Sequence, residues 1–210
     1  MKALLTSAGI TNKSLENALK KLVGGKIKIA FIPTAANAEG GNKDWLINDF
    51  NNCMKLGSVD IVDISALKKD AWLSRLKKAN VIVVGGGNTI YLMDWIIKSG
   101  LGDELRELLK TRVYVGISAG SIILSKVLSA SSEFLYDDED GKEHKGLGYV
   151  DFHIRPHLNS PAFPKVTLDS LKKLAPKFDG KFYALDDDSG IVFIDGKIEV
   201  ISEGKWEKYN

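Results

Sequence analysis

The chain has 210 residues, of which 44% are hydrophobic and 27% charged. Those proportions exclude a disordered or collagen-like chain, and the length suits one large buried core, read as a single α/β domain over residues 1–210. A net charge of +2, with Lys and Arg scattered along the chain, gives no electrostatic case for a nucleic-acid or membrane-surface partner.

Cys53 is the only cysteine, so no internal disulfide and no Cys-cluster zinc site can form. The histidines lack H-E-x-x-H spacing, so neither a metal nor another cofactor is expected. The apolar run at the N-terminus is too short for a signal peptide, and no stretch is long enough to span a membrane. The expectation is a cytoplasmic protein, monomer or homodimer, with a small-molecule partner.

In chain order, Ala3 to Ser7, Lys26 to Pro33, Val59 to Ile64, Val81 to Val84 and Val113 to Ile117 are short, β-branched apolar runs. Near-continuous runs of this kind are the mark of parallel strands buried on both faces. Helical patterns lie between them, at Ser14 to Leu22, Trp45 to Leu56, Ala66 to Leu76, Thr89 to Ile97 and Leu101 to Leu109. The alternation predicts a doubly wound, mostly parallel sheet with helices on both faces. Beyond a helical segment at Ser121 to Leu128, the segment Ser131 to Lys145 is polar, with four consecutive acids from Asp137 to Asp140. It reads as an exposed excursion, and residues 137–143 as either a lid or a solvated loop. Tyr149 to Ile154 is a strand candidate and Leu168 to Leu174 a short helix. Phe182 to Leu185, Gly190 to Ile194 and Lys197 to Ser202 are strands, the last two joined by the hairpin signal Asp195-Gly196.

The sharpest chemical feature is Gly116-Ile117-Ser118-Ala119-Gly120, a G-x-S-x-G string between a strand and a helical segment. A sharp turn there crowds the backbone, and glycines relieve the crowding. The serine hydroxyl then projects above the sheet, and the N–H of Ala119 can face an oxyanion. An ordinary strand–helix turn with a capping serine has the same string. A second glycine-rich turn, Gly85-Gly86-Gly87-Asn88-Thr89, follows the strand Val81 to Val84. It lacks the Lys-Ser/Thr pair of a P-loop and the full G-x-G-x-x-G pattern. An oxyanion-hole contribution fits it better, because ligands of open α/β sheets gather at the strands' carboxyl edge.

A serine nucleophile needs a base. Of three histidines, His144 lies in the acidic excursion and reads as solvated. His153 alternates within a strand and reads as structural. His157 follows Arg155-Pro156 in a loop after that strand and is assigned the general-base role. The carboxylate that orients the base is sought in Asp186-Asp187-Asp188, at the end of the strand Phe182 to Leu185; a solvated turn is the alternative for each of the three.

Taken together, these residues resemble the dipeptidase E (α-aspartyl dipeptidase) family of serine peptidases, relatives of cyanophycinase, over nearly the whole chain. The marks are Ile32-Pro33-Thr34-Ala35, Val83-Val84-Gly85-Gly86-Gly87-Asn88-Thr89, Gly116-Ile117-Ser118-Ala119-Gly120-Ser121, Gly146-Leu147-Gly148 upstream of Pro156-His157, and the late acidic turn before Ser189-Gly190. The resemblance implies a flavodoxin-like α/β sandwich related to class I glutamine amidotransferases, with serine in place of their cysteine nucleophile. It implies that Ser118 attacks a peptide carbonyl, that His157 moves the proton, and that the N–H groups of Gly86 and Ala119 hold the oxyanion. The family's late acidic residue, often a glutamate, aligns with Asp187, a shorter side chain.

The family's best-known substrates are dipeptides with an N-terminal aspartate. In an extended segment Arg155 and His157 point the same way, so Arg155 could bind a substrate carboxylate or else pair with the acidic excursion. Asn88 could hold a substrate backbone group or cap the following helix. The expected activity is a serine exopeptidase acting on short peptides. A serine esterase or amidase, and an anion-binding module with an idle Ser118, are the competing readings.

Overall fold

The computed structural model describes residues 1–128 and 144–210. The acidic run and the lid expected at residues 137–143 lie outside the described residues. The five leading strands form where the apolar runs lie: β1 (Lys2–Thr6), β2 (Lys28–Ile32), β3 (Ser58–Ile61), β4 (Val81–Val84) and β5 (Val113–Ile117). They alternate with α1 (Lys13–Val23), α2 (Asp44–Leu56), α3 (Lys69–Lys78), and the consecutive pair α4 (Thr89–Ser99) and α5 (Leu101–Leu108). After β5 come a short α6 (Ala119–Ile122), β6 (His153–Arg155), α7 (Leu168–Leu174), β7 (Phe182–Leu185), β8 (Ser189–Ile194), β9 (Lys197–Ser202) and β10 (Trp206–Tyr209).

Seven strands make one sheet in the order β3-β2-β4-β5-β1-β8-β9, parallel through β1 and antiparallel across β1-β8-β9. The remaining three form a small second sheet, β10-β7-β6, in which β6 and β7 run parallel. The fold is therefore a mostly parallel α/β sheet with helices around it.

Alternate strand residues face opposite layers, as the period of two dictates. Leu4, Val81, Val83, Val115 and Ile117 pack toward α1 and α2, against Leu15, Leu19 and Cys53. Leu5, Ile82, Val84 and Tyr114 pack toward the other helices, against Trp72, Leu92, Ile96 and Leu105. The small sheet joins this second core through Ile154, Tyr183 and Leu185. Its other face, Phe182 and Ala184, is covered by Leu171 and Leu174 of α7.

Three expectations are corrected and one strand is added. Val59 to Ile64 is not a fully buried strand: β3 is the edge strand, ends at Ile61 and is partly exposed. The helical reading of Ser121 to Leu128 shrinks to the single turn of α6, after which the chain bends. Tyr149 to Ile154 contributes only its end to a strand, as β6. The chain also adds β10, whose alternating Trp206, Glu207, Lys208 and Tyr209 are mostly exposed and carry little apolar signal.

Candidate active site

Ser118 sits between β5 and α6 with φ 48° and ψ −109°, a sparsely populated conformation for a residue with a side chain. The surrounding structure holds it there. Its N–H donates to the Thr6 carbonyl (3.1 Å), and its own carbonyl accepts from the N–H of Ser121 (2.8 Å). Ser121 Oγ also donates to the Thr6 carbonyl (2.8 Å), and Tyr114 Oη to that of Gly120 (2.6 Å). The flanking glycines act as the motif implies. A Cβ at Gly120 would lie 2.0 Å from the Val84 carbonyl oxygen, and one at Gly116 would lie 2.7 Å from the Gly120 carbonyl oxygen. Only glycine lets α6 close down on β4 and β5.

The glycine-rich turn after β4 comes up beside the serine. A Cβ at Gly86 would stand 3.3 Å from Ser118 Cβ, and Gly87 (φ 128°) crosses the Ala35 backbone so closely that a Cβ would meet it at 2.4 Å. The N–H of Ala119 opens α6, where no intrahelical acceptor exists. Asn88 caps α4: its side-chain oxygen accepts from the Tyr91 N–H at 2.9 Å. Asn88 is not among the residues lining the cleft.

Ser118, His157 and Asp187 stand in series. His157 Nε2 lies 2.9 Å from Ser118 Oγ, and His157 Nδ1 lies 2.7 Å from Asp187 Oδ1. The small sheet brings the last two together. β6 and β7 are parallel neighbours, with Arg155 opposite Ala184, so their carboxyl ends lead to His157 and to Asp187 side by side. The Leu158 N–H continues the pairing to the Leu185 carbonyl (2.9 Å). His157 itself has φ 65° and stacks on Phe163, with ring centroids 4.2 Å apart and planes 9° off parallel.

The three adjacent aspartates divide their tasks. Asp186 braces the turn, accepting from the Ser189 hydroxyl (2.5 Å) and from the N–H groups of Asp188 and Lys205. Asp188 is exposed. Asp187 alone reaches the imidazole. Burial raises the Asp187 carboxyl pKa, but hydrogen bonds from His157, Ser160 and Ser7, with the charge of His157, outweigh burial and hold it below the usual carboxylate range. It is therefore an anion at neutral pH.

Sequence reasoning missed Ser7. Its hydroxyl donates to Asp187 Oδ1 (3.0 Å) and accepts the His157 backbone N–H (2.8 Å), so one fully buried residue at the end of β1 joins both partners. The only signal was a hydroxyl at the carboxyl end of a strand. The other histidines stay apart from this group. His153 is buried against Phe178 and Phe182 with Nε2 at the Asp179 carbonyl (3.1 Å). His144 is half-buried rather than solvated, and its carbonyl accepts the Leu128 N–H (2.8 Å).

These groups open into one cleft of about 1140 Å³. Arg155 is 4% exposed and lines it. The chain leaves extended geometry at His157, so simple alternation does not relate the Arg155 and His157 side chains. A hydroxyl, an imidazole and a half-buried carboxylate in series can shuttle a proton during acyl transfer. Among the described residues, no group of three or more His, Cys, Asp or Glu side chains could hold a metal, and no helix is long and apolar enough to cross a membrane.

The chain is similar to an uncharacterized peptidase of Listeria monocytogenes (Lmo0363), 28% identical across 83% of this chain and 85% of that one. It is 26% identical to peptidase E of Salmonella arizonae, across 75% and 68% of the two chains. A 1.5 Å crystal structure from Listeria monocytogenes EGD-e superposes with a TM-score of 0.79, covering 97% of this chain and 98% of that chain at 22% identity, which is a likeness of fold. The family model for peptidase family S51 matches residues 3–201. The chain belongs to peptidase family S51 and is a peptidase.

Proposed function

We propose that this peptidase is a dipeptidase in which residues 1–210 work as one unit, with Ser118 as nucleophile, His157 as general base and then general acid, and Asp187 as the group that orients and stabilises the imidazolium. The observation that carries this reading is the unbroken series Ser118–His157–Asp187 at 2.9 and 2.7 Å. Ser118 Oγ attacks the peptide carbonyl as Nε2 takes its proton. The N–H groups of Gly86 and Ala119 receive the oxyanion. The imidazolium protonates the leaving amine, which departs, and water then enters by the same route in reverse to release the acyl group.

Relatives of this chain carry the name peptidase E, and one carries the name alpha-aspartyl dipeptidase, at 34% identity over 41% of this chain. An aspartyl preference here would rest on Arg155, a residue of fixed charge that lines the cleft. The test is cleavage of Asp-Leu, Glu-Leu, Leu-Leu and Ala-Leu by wild type and by Ser118→Ala. Cleavage of Asp-Leu that disappears in folded Ser118→Ala supports nucleophile and preference together. Cleavage of all four supports the nucleophile and removes the preference. Undiminished cleavage by Ser118→Ala contradicts the mechanism.

A further inference from the structure

One buried carboxyl in the cleft belongs to no part of this proton-transfer series. Asp49 lies in the middle of α2 and is 6% exposed, yet it lines the same cleft as Ser118, His157 and Gly86. Its oxygen rests on the backbone of Gly9, where an added Cβ would come within 2.4 Å of Oδ1 and within 3.6 Å of Ile117 Cδ1. Asp49 is therefore on the cleft floor, between the end of β1 and the residue before Ser118. One helical turn earlier, the Trp45 ring reaches 3.8 Å from the position of a Cβ on Gly86. One turn later lies buried Cys53.

No described residue compensates the charge of the Asp49 carboxyl. Among the described residues it takes part in no ion pair, and burial is the one influence on its titration. Lys55, the cation of the same helix that lines the cleft, has its ammonium on Asn52 Oδ1 (2.9 Å). Burial raises the Asp49 carboxyl pKa to about 7, and burial with the Asp49 charge pushes the Cys53 thiol up to about 12. A desolvated carboxyl without a partner costs stability, and it is set in the wall of a substrate cleft rather than in the closed core.

We propose that Asp49 is the counter-ion for a positively charged nitrogen of the substrate, in the first place the free α-ammonium group that every dipeptide carries. This rests on the dipeptidase reading. An entering ammonium supplies both the charge and the N–H donors that the carboxyl lacks. A peptide blocked at its N-terminus leaves the carboxyl buried and unpaired, so the site rejects it by the cost of the missing partner. A Lys or Arg side chain of the substrate offers the same chemistry from a second source.

The experiment compares wild type with Asp49→Asn on Asp-Leu, N-acetyl-Asp-Leu, Lys-Leu and norleucyl-Leu. The expected result is strong wild-type discrimination against the acetylated peptide. In Asp49→Asn, KM for Asp-Leu rises about 100-fold with kcat within a few-fold, and the acetylated peptide becomes nearly equivalent. Loss of a Lys-over-norleucine preference alone keeps the cation site and overturns the α-ammonium as its occupant. Wild-type KM and wild-type discrimination on both pairs in Asp49→Asn overturn the proposal. Wild-type silence on every peptide overturns the dipeptidase reading instead. The Asp49 side-chain ¹³C resonance in Ser118→Ala then tests the site without turnover and without a substitution at residue 49. A shift on adding Asp-Leu but not N-acetyl-Asp-Leu supports it, and any other pattern contradicts it.

Discussion

The two halves of the catalytic group are built by different means. Ser118 and Gly86 sit on turns that follow strands of the large sheet, and each is fixed within a few residues by glycines that permit close backbone approach. His157 and Asp187 are 30 residues apart in the chain and meet because β6 and β7 pair in the small sheet. The first half is written in local chain geometry. The second depends on tertiary pairing, and Ser7 at the end of β1 ties it to the first.

The largest expected effects fall on the groups that exchange the proton. Ser118→Ala and His157→Ala should each lower kcat/KM by about 10⁴ or more, with circular dichroism and thermal midpoint retained. Substitution along the acidic turn separates bracing from catalysis. Asp187→Asn should cost about 10³–10⁴ in kcat, read in steady-state kinetics. Asp186→Asn should instead lower the thermal midpoint, because Asp186 holds the Ser189 hydroxyl and the Lys205 N–H. Equal kinetic effects at both positions would break the division between them.

Ser7→Ala probes the tie between the two halves. It leaves the His157 backbone N–H without its acceptor and Asp187 without one donor. The expectation is a loss of roughly 1–3 kcal/mol in stability by denaturant unfolding, with about a ten-fold fall in kcat.

An effect of opposite sign concerns Asp49. Its folded-state pKa is raised to about 7 by burial, against about 3.9 in an unfolded chain. As pH rises from 4 to 7 the unfolded state loses a proton that the folded state keeps, so this carboxyl lowers stability progressively and then levels off. Asp49→Asn should be more stable than wild type at pH 8, by up to a few kcal/mol, and the difference should shrink toward pH 4. Denaturant unfolding across that range measures it, and a pH-independent difference would contradict the assignment.

The same contrast explains what the sequence made legible. The parallel strands announced themselves because burial on both faces demands continuous apolar runs. Ser118 and Gly86 announced themselves because close backbone approach demands glycine. His157 was reached because there were few histidines to choose from, and Asp187 because a family resemblance chose among three adjacent acids. Side-chain type alone cannot say which of Asp186, Asp187 and Asp188 faces an imidazole; that follows from the turn between β7 and β8. Ser7 and Asp49 were missed for a related reason. Each is a common residue, Ser7 just beyond β1 and Asp49 within α2, and only the packing of β1 against β5, or of α2 against Gly9, gives it a part in the cleft. β10 escaped because its residues are mostly exposed and leave no apolar stripe.

The most direct test of the claim that both halves form one catalytic unit is a double-mutant cycle on kcat/KM for a cleaved dipeptide. It compares Ser118→Ala, Asp187→Asn and the double variant. Groups acting in one proton-transfer series are strongly non-additive, so the double variant should be no slower than Ser118→Ala alone. Losses that multiply in the double variant would show that Asp187 contributes independently of Ser118, and would contradict the account.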